Sequence, residues 1–216
     1  MTIAFWGAGV QSGTNANMRA VAAVFSDLCP GIRIGLYAAG GKEGGICRNK
    51  NYKSSNKATG RKDSSALADI RFVDCGSGMS GEKRRILRKA EIVVVNIRQE
   101  EEEIRRYFLE ESHLLPGSPI LIGNYCGQSK FSRRYLECVY RAEPENVSVL
   151  SRNVEFEQAA ACGRVYRFVK KESCAPKNLR NQQLLEELKG ISGMLLRNAE
   201  TLYGRDVPWN KNIEKQ

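Results

Sequence analysis

The chain has 216 residues and a formal net charge of +10. This length suits one sizeable α/β domain, and we expect residues 1–216 to form a single domain. No run of about 18 apolar residues occurs, which argues against a membrane-spanning helix. The N-terminus also lacks the basic and apolar regions of a secretory signal. The positive charge is compatible with contacts to nucleic acid or to an anionic membrane surface, without proving either.

The seven cysteines are odd in number and scattered, and no two of them form a C-x-x-C pair. Most lie in apolar strand or helix patterns, so we predict buried free thiols. The single histidine, His113, has no cysteine beside it, which argues against a zinc site. Free thiols are typical of a reducing compartment, and we therefore expect a cytoplasmic protein.

The first eighteen residues, MTIAFWGAGVQSGTNANM, carry the clearest functional signal. Thr2 to Trp6 predicts a buried strand, and an amphipathic helix is predicted from Met18 to Leu28. Gly7, Gly9 and Gly13 lie in the loop between them. Glycines let a backbone approach phosphate closely, and the amides at a helix N-terminus attract an anion. This segment is therefore typical of a phosphate-binding loop.

One template for such a loop is the dinucleotide-binding turn, G-x-G-x-x-G. Gly7 and Gly9 supply its first half, but Ser12 stands where the third glycine is expected. The second predicted strand, Ile32 to Ala39, ends without the acidic residue that binds the ribose in such sites.

The other template is the P-loop, G-x-x-x-x-G-K-[ST]. If Gly13 is its second glycine, Ala8 takes the place of the first, Thr14 that of the lysine and Asn15 that of the Mg²⁺-binding hydroxyl. Neither template fits well, and a glycine-rich turn that binds nothing remains a third interpretation.

A basic segment, Gly40 to Ser65, interrupts the pattern of strands and helices. We predict a flexible basic loop over residues 40–65, either solvated or in contact with phosphate groups. Its seven basic residues are Lys42, Arg48, Lys50, Lys53, Lys57, Arg61 and Lys62.

The rest of the chain alternates between predicted strands and helices. The predicted strands are Ala68–Val73, Glu91–Arg98, Pro119–Tyr125 and Asn146–Leu150. One predicted helix is capped by Ser80 and another begins at Gln99. The remaining predicted helices are Phe131–Tyr140, Val154–Ala161 and Asn181–Tyr203. This alternation predicts an α/β fold, a mostly parallel sheet flanked by helices on both faces. Ligands bind such sheets at the carboxyl ends of the strands. We expect Gly7–Asn15, Asp74–Gly78, Asn124 and Asn153 to meet there.

With these elements in place, nearly the whole chain resembles the MinD/ParA superfamily of deviant P-loop ATPases. FVDCGSG, at Phe72 to Gly78, is similar to the family's Asp-x-x-x-Gly, which implies that Asp74 lies near Mg²⁺ and Gly78 near the γ-phosphate. LIGNY places Asn124 at the family's adenine contact, and the segment from Leu150, which includes Asn153, is similar to the family's next loop and short helix. The resemblance implies a P-loop NTPase fold that binds ATP or ADP with Mg²⁺. The implied nucleotide site consists of Gly9, Gln11, Ser12, Gly13, Thr14, Asn15, Asp74, Gly78, Asn124 and Asn153, with Asn15 and Asp74 as Mg²⁺ ligands.

The chain also departs from the family pattern K-G-G-x-G-K-[ST]. Gly9 and Thr14 stand at the two lysine positions, and Asn15 stands at the hydroxyl position. The family's water-placing aspartate, after the second strand, is replaced within Tyr37 to Ala39. Positive charge at the phosphates supplies most of the catalysis in such sites, so we expect no efficient ATP hydrolysis and assign no catalytic residue.

The FWGAGVQSGT opening resembles atypical ParA-like proteins of bacteria and the TadZ/CpaE proteins, which localise pilus-assembly machinery. The resemblance implies a degenerate ParA/MinD-like scaffold that binds nucleotide, forms a homodimer or recruits a partner protein, and acts in positioning a pilus or secretion apparatus or in chromosome or plasmid partitioning.

Three alternatives stay open. In a slow ATPase, Lys42 or a residue of a second subunit would supply the positive charge of the missing P-loop lysine. A non-specific DNA binder would use Arg84, Arg85, Arg88 and Lys89 together with the basic loop. A Rossmann-type protein would bind NAD(P) instead of ATP.

Overall fold

The computed structural model describes residues 1–39, 43–47 and 68–203, the second of these ranges as backbone only. Seven strands are formed: β1 (Thr2–Gly7), β2 (Ile34–Ala38), β3 (Glu43–Cys47), β4 (Ile70–Ser77), β5 (Ile92–Ile97), β6 (Ile120–Tyr125) and β7 (Val147–Ser151). The α-helices are α1 (Thr14–Leu28), α2 (Gly81–Lys89), α3 (Glu101–Arg106), α4 (Arg133–Tyr140), α5 (Val154–Ala161), α6 (Val165–Cys174) and α7 (Leu179–Tyr203). A π-helical turn (Tyr107–Glu111) and a 3-10 turn (Ser112–Leu114) extend α3, and a further 3-10 turn (Pro144–Asn146) precedes β7.

The strands form one sheet in the order β3-β2-β4-β1-β5-β6-β7. All neighbouring strands run parallel except β2 and β3, which are antiparallel at one edge. The predicted, mostly parallel α/β sheet is therefore confirmed. In the dinucleotide-binding arrangement the second strand lies beside the first, whereas here β4 lies between β2 and β1. This order favours the P-loop interpretation over the NAD(P)-binding one.

The sheet separates two hydrophobic cores, and alternate residues of β1 point into each. Ile3 and Phe5 belong to the core under α1, α6 and α7. Ala4 and Trp6 belong to the other core, which includes apolar side chains of α2, α3 and α4. A strand whose two faces are both covered has a continuous apolar sequence, which explains the unbroken run at the start of the chain. Helices thus cover both faces, as predicted.

The last helix shows how the predicted apolar stripe is used. Leu184, Leu188, Ile191 and Leu195 are buried against the sheet, whereas Leu202 near the end of α7 is 57% exposed. The stripe therefore packs inside the protein along most of its length. Within the described ranges, no helix is long and apolar enough to cross a membrane.

The largest differences from the sequence prediction concern four elements. The helix α1 begins at Thr14, four residues before its predicted start at Met18. β4 runs to Ser77, four residues beyond the predicted end at Val73, because its pairing with β1 continues through a bulge to Gly7. Residues 43–47, predicted as loop, form the edge strand β3; the remainder of the predicted basic loop lies outside the described residues. The helix α6 was not predicted.

The prediction of buried cysteines was wrong for most of the thiols described. Cys29 and Cys75 are buried, but Cys126, Cys138, Cys162 and Cys174 are exposed and free. Cys126 follows β6 and Cys162 follows α5, whereas Cys138 and Cys174 are exposed on α4 and α6. A small apolar residue is tolerated at such positions without being covered.

A buried amide pair connects α1 to the middle of the sheet. Asn17 Nδ2 donates to Asn96 Oδ1 at 2.9 Å, and the Asn96 side chain donates to the carbonyl of Trp6. Asn96 is fully buried in β5, and Asn17 is 4% exposed. Buried polar groups are stable only when they are hydrogen-bonded, so this pair fixes the first turn of α1 against β5.

Replacing Asn96 by alanine should destabilise the protein, because the buried Asn17 amide loses its acceptor. The free energy of unfolding should fall by about 1–3 kcal/mol, measured as a lower midpoint of urea unfolding with an unchanged slope. Gln128→Ala, which removes an exposed amide, should leave the midpoint unchanged. An equal midpoint for the Asn96 variant and the native chain would contradict this role.

Candidate phosphate-binding site

The loop between β1 and α1 requires glycine at two positions where atoms approach closely. A Cβ atom on Gly7 would lie 1.9 Å from Ser12 Oγ, and one on Gly9 would lie 2.1 Å from Glu103 Oε2. Real Cβ atoms do not come so close to other atoms, so a larger residue at either position would require the Ser12 hydroxyl or the Glu103 carboxylate to move.

The N-terminus of α1 carries no cap from a side chain. Gly13 is its N-cap residue, with a φ angle of +75° that favours glycine, and the first turn contains no acidic residue. Ser80, Ser132 and Asn153 cap α2, α4 and α5 through their side chains, whereas α3 and α6 lack a side-chain cap as α1 does. Uncapped amides at a helix N-terminus are an anion-binding arrangement, and here they border a cavity.

That cavity has a volume of about 350 Å³ and lies between the loop, β4 and the turn joining α5 to α6. Its walls bring together most of the residues predicted for the phosphate end of a nucleotide site. They are Gly9, Gln11, Ser12, Gly13, Thr14, Asn15, Ala16, Arg19, Gly76, Ser77, Ala160, Gly163 and Val165.

A second cavity, of about 180 Å³, adjoins the first. The two share Gln11, Ser12, Gly13, Ala16 and Ala160 as a common wall. Its far side holds Asn124 and Phe156, together with Arg98. Asn124 is exposed and has a φ angle of +51°, a conformation that asparagine adopts more readily than most residues. The predicted adenine contact, Asn124, therefore lies in the second cavity, which adjoins the first cavity beside the predicted phosphate loop.

The two predicted Mg²⁺ ligands are in direct contact. Asn15 Nδ2 donates to Asp74 Oδ2 at 2.9 Å, and the other carboxylate oxygen of Asp74 accepts from the amide of Gly76 at 2.9 Å. Arg19, one helical turn beyond Asn15, donates from Nε to Asn15 Oδ1 at 2.9 Å. The three side chains form one chain of hydrogen bonds, of which Asn15 and Arg19 line the first cavity whereas Asp74 does not.

Cations from α2 and α3 bind backbone carbonyls next to this cavity. The Arg106 guanidinium donates to the carbonyl of Ala8, and Lys83 Nζ donates to the carbonyl of Ser77. The buried carboxylate of Glu103, beside Gly9, accepts from both the amide and the Nε of Arg98. This pairing compensates a negative charge that would otherwise disfavour a phosphate in the loop.

Cys75, which adjoins Asp74 and the cavity-lining Gly76, is a poor nucleophile. Burial, followed in importance by the adjacent charge of Asp74, raises the pKa of the Cys75 thiol to about 12. Since the thiolate is the nucleophile, Cys75 is no candidate for covalent chemistry.

Two predicted nucleotide contacts lie elsewhere. Asn153 is 4% exposed; its Oδ1 accepts from the amide of Phe156 and its Nδ2 donates to Asn181, so the side chain caps α5 and lines neither cavity. Gly78 lies past the first cavity, where its carbonyl accepts from Trp6 Nε1 at 3.1 Å. Asn153 acts on the site indirectly, by fixing the helix that carries Phe156.

Sequence reasoning missed Arg19 and Phe156, the side chains that add charge and aromatic surface to the cavities. The spacing of four residues between Asn15 and Arg19 is a signal that could have identified the first, because such residues share a helix face. Nothing in the sequence marked Phe156 apart from other apolar helix positions. Lys42, the predicted substitute for the P-loop lysine, lies outside the described residues.

Comparisons with known proteins agree with this geometry at the level of the fold. No protein-family model and no curated protein sequence matches the chain. Among solved structures, the chain is similar to a ParA family ATPase from Chlorobium tepidum, with a TM-score of 0.59 and 12% identity, covering 87% of this chain and 98% of that one.

Two further structures are similar to the same extent. A Borrelia burgdorferi protein described as a plasmid partition protein, bound to AMPPNP, has a TM-score of 0.56 and 10% identity over 91% of this chain and 98% of that one. A chain of the MinC:MinD cell division complex of Aquifex aeolicus has a TM-score of 0.58 and 11% identity over 89% of this chain and 96% of that one. The protein therefore has the α/β fold of ParA- and MinD-type proteins.

Proposed function

We propose that the protein is a nucleotide-binding scaffold that holds ATP or ADP without turning it over efficiently. The observation that carries this proposal is the uncapped N-terminus of α1, which opens onto two adjoining cavities that extend from the glycine loop to Asn124. The AMPPNP-bound partition protein of the same fold supports a nucleotide as the ligand. Its phosphates would lie against Gly13 and the first turn of α1.

The second cavity suits the base. Asn124 offers an exposed amide, which can both donate and accept hydrogen bonds, as the Watson–Crick edge of adenine requires. Phe156 contributes apolar ring surface beside it. Base recognition commonly combines an apolar contact with a small number of placed polar groups.

Three features argue against efficient hydrolysis. Thr14 stands where a P-loop lysine would meet the phosphates, and no lysine of the described chain lines either cavity. Asp74 and Asn15 are hydrogen-bonded to each other. The end of β2, Tyr37 to Ala39, provides no carboxylate to orient a water molecule. Since phosphoryl transfer depends on positioned charge, a slow ATPase would need a cation from residues 40–67 or from a second subunit.

The biological role in this proposal is cellular positioning. The fold shared with ParA and MinD proteins supports a cytoplasmic homodimer that recruits a partner protein, in pilus or secretion assembly of the TadZ type or in partitioning. Nucleotide occupancy would then govern partner binding, without a need for turnover.

A second candidate function, non-specific DNA binding, is favoured by α2. Its residues Arg84, Arg85, Arg88 and Lys89 are all exposed. Within the described residues none of them takes part in an ion pair. Unpaired cations along one helix are the arrangement that binds a phosphate backbone.

We expect ATP and ADP to bind the purified chain, and we expect Asn124→Ala to weaken this binding. Loss of one or two base hydrogen bonds should raise the Kd about 5- to 30-fold, measured by titration calorimetry. A phosphate-release assay on the same samples should show little or no ATP turnover.

Asn146→Ala is the matched control, because this amide precedes β7 at the opposite end of the sheet. It should bind ATP like the native chain. Rapid turnover would remove the scaffold proposal, and the absence of binding by either ATP or ADP would remove the nucleotide site altogether.

The DNA-binding candidate is tested separately. The native chain should bind duplex DNA with an affinity that falls steeply with salt, and the double substitution R84E/R88E should reduce both the affinity and the salt dependence. Removing one contact to a phosphate lowers the slope of log K against log salt by about 0.9. Fluorescence anisotropy measures both the affinity and its slope.

R180E/R197E changes the net charge by the same amount on exposed positions of α7 and should retain most of the binding. If the two double variants weaken binding equally, overall charge rather than α2 determines DNA binding. Affinity that is insensitive to salt would exclude a phosphate-backbone mode.

A further inference from the structure

Nucleotide sites of this fold are expected to hold Mg²⁺, and the residues present fit that ion poorly. Mg²⁺ requires oxygen ligands in a near-octahedral arrangement. Both carboxylate oxygens of Asp74 already accept hydrogen bonds, from Asn15 Nδ2 and from the Gly76 amide. Among the described residues no acidic side chain lines the cavity, Asp74 included, and no group of three metal-binding side chains occurs.

The carbonyl oxygen of Asn15 is equally committed, since it accepts from the Nε of Arg19 at 2.9 Å. The orientation of the Asn15 amide is fixed by its neighbours, because its NH₂ group faces a carboxylate and its oxygen faces a guanidinium. Reversing the amide would place donor against donor and acceptor against acceptor. A metal ion at this oxygen would therefore lie next to the permanent positive charge of Arg19, which repels a second cation.

We infer that this site binds nucleoside phosphates without a divalent cation, and that Arg19 supplies the positive charge instead. This inference rests on the proposed nucleotide-binding function and specifies how the phosphate charge is neutralised. It follows from the hydrogen-bonded series of Asp74, Asn15 and Arg19, of which Asn15 and Arg19 line the cavity beside the uncapped first turn of α1.

Arg19 is suited to this role by chemistry and by position. A guanidinium is always charged at physiological pH and presents a planar set of donors that matches phosphate oxygens. Arg19 is half-buried, lines the cavity and is held by Asn15, so its charge is already in place before a ligand arrives. Lys83, the described lysine whose ammonium lies beside Ser77, donates to a backbone carbonyl and does not line the cavity.

The decisive experiment compares ATP binding by the full chain in buffer containing Mg²⁺ and in buffer containing EDTA, by titration calorimetry. The Kd in EDTA should be as low as, or lower than, the Kd in Mg²⁺, because free ATP carries more negative charge toward Arg19. Arg19→Gln should raise the Kd about 10- to 100-fold in both buffers, as expected when a charge-assisted hydrogen bond is removed. The Kd of Arg19→Lys should lie between the Kd of the native chain and that of Arg19→Gln, since lysine keeps the charge without the planar fork.

Two further variants separate charge at the site from other effects. Arg71→Gln removes an exposed arginine near the start of β4, away from the cavity, and should bind like the native chain. Asn15→Thr releases the Asp74 carboxylate and adds a hydroxyl, so its ATP binding should become stronger in Mg²⁺ than in EDTA.

The outcomes distinguish this inference from the proposed function. Tight binding in Mg²⁺ that is lost in EDTA would overturn the inference and leave the nucleotide site intact. Binding that ignores Arg19→Gln in a variant with native thermal stability would also overturn it. Absence of binding in both buffers would overturn the nucleotide site itself, and the inference with it.

Discussion

The geometry of the candidate site depends on Asn96, a polar residue in the most apolar part of the sheet. Its backbone carbonyl accepts from the amide of Ala8 at 3.0 Å, and its side chain accepts from Asn17. One residue therefore holds both ends of the segment that carries the glycine loop. A buried amide with no partner costs free energy, so the loop cannot shift without breaking this network. The core therefore contains a polar group, and the hydrogen bonds of this group fix the position of the loop.

A second interaction, between Arg98 and Glu103, explains how acidic and basic side chains coexist at the loop. Glu103 is 4% exposed and comes close to Gly9, a position that would repel a phosphate if its charge were uncompensated. Arg98 donates to it twice and lies on the wall of the second cavity. The negative charge is thus compensated on the side of α3, whereas Arg19 lies on the side of α1. Under the proposed function, Arg19 would contact the phosphates from the side of α1.

Sequence patterns predicted the parallel sheet, its covering helices and the meeting of Asn15 with Asp74, because apolar periodicity and strand order leave few alternatives. They failed where local sequence carries little information. Edge strand β3 lies in a polar, glycine-rich stretch whose pairing with β2 is set by tertiary contacts. Asn153 has the polarity of a ligand-binding residue, but a cap and a ligand contact use the same side-chain chemistry, and only coordinates separate them. The partnership of Arg19 with Asn15 did have a sequence signal, the spacing of four residues on one helix face, whereas the position of Phe156 had none.

The two cations that bind backbone carbonyls also have an effect on the opposite side of the chain. A trans peptide is planar, with its C=O and the following N–H pointing in opposite directions. Because Arg106 on α3 binds the Ala8 carbonyl, the N–H of Gly9 points away from that guanidinium, and Lys83 on α2 has the same effect on the N–H of Gly78. Gly9 lines the first cavity, whereas Arg106 does not. A cation outside the cavity thereby fixes the orientation of a peptide inside it.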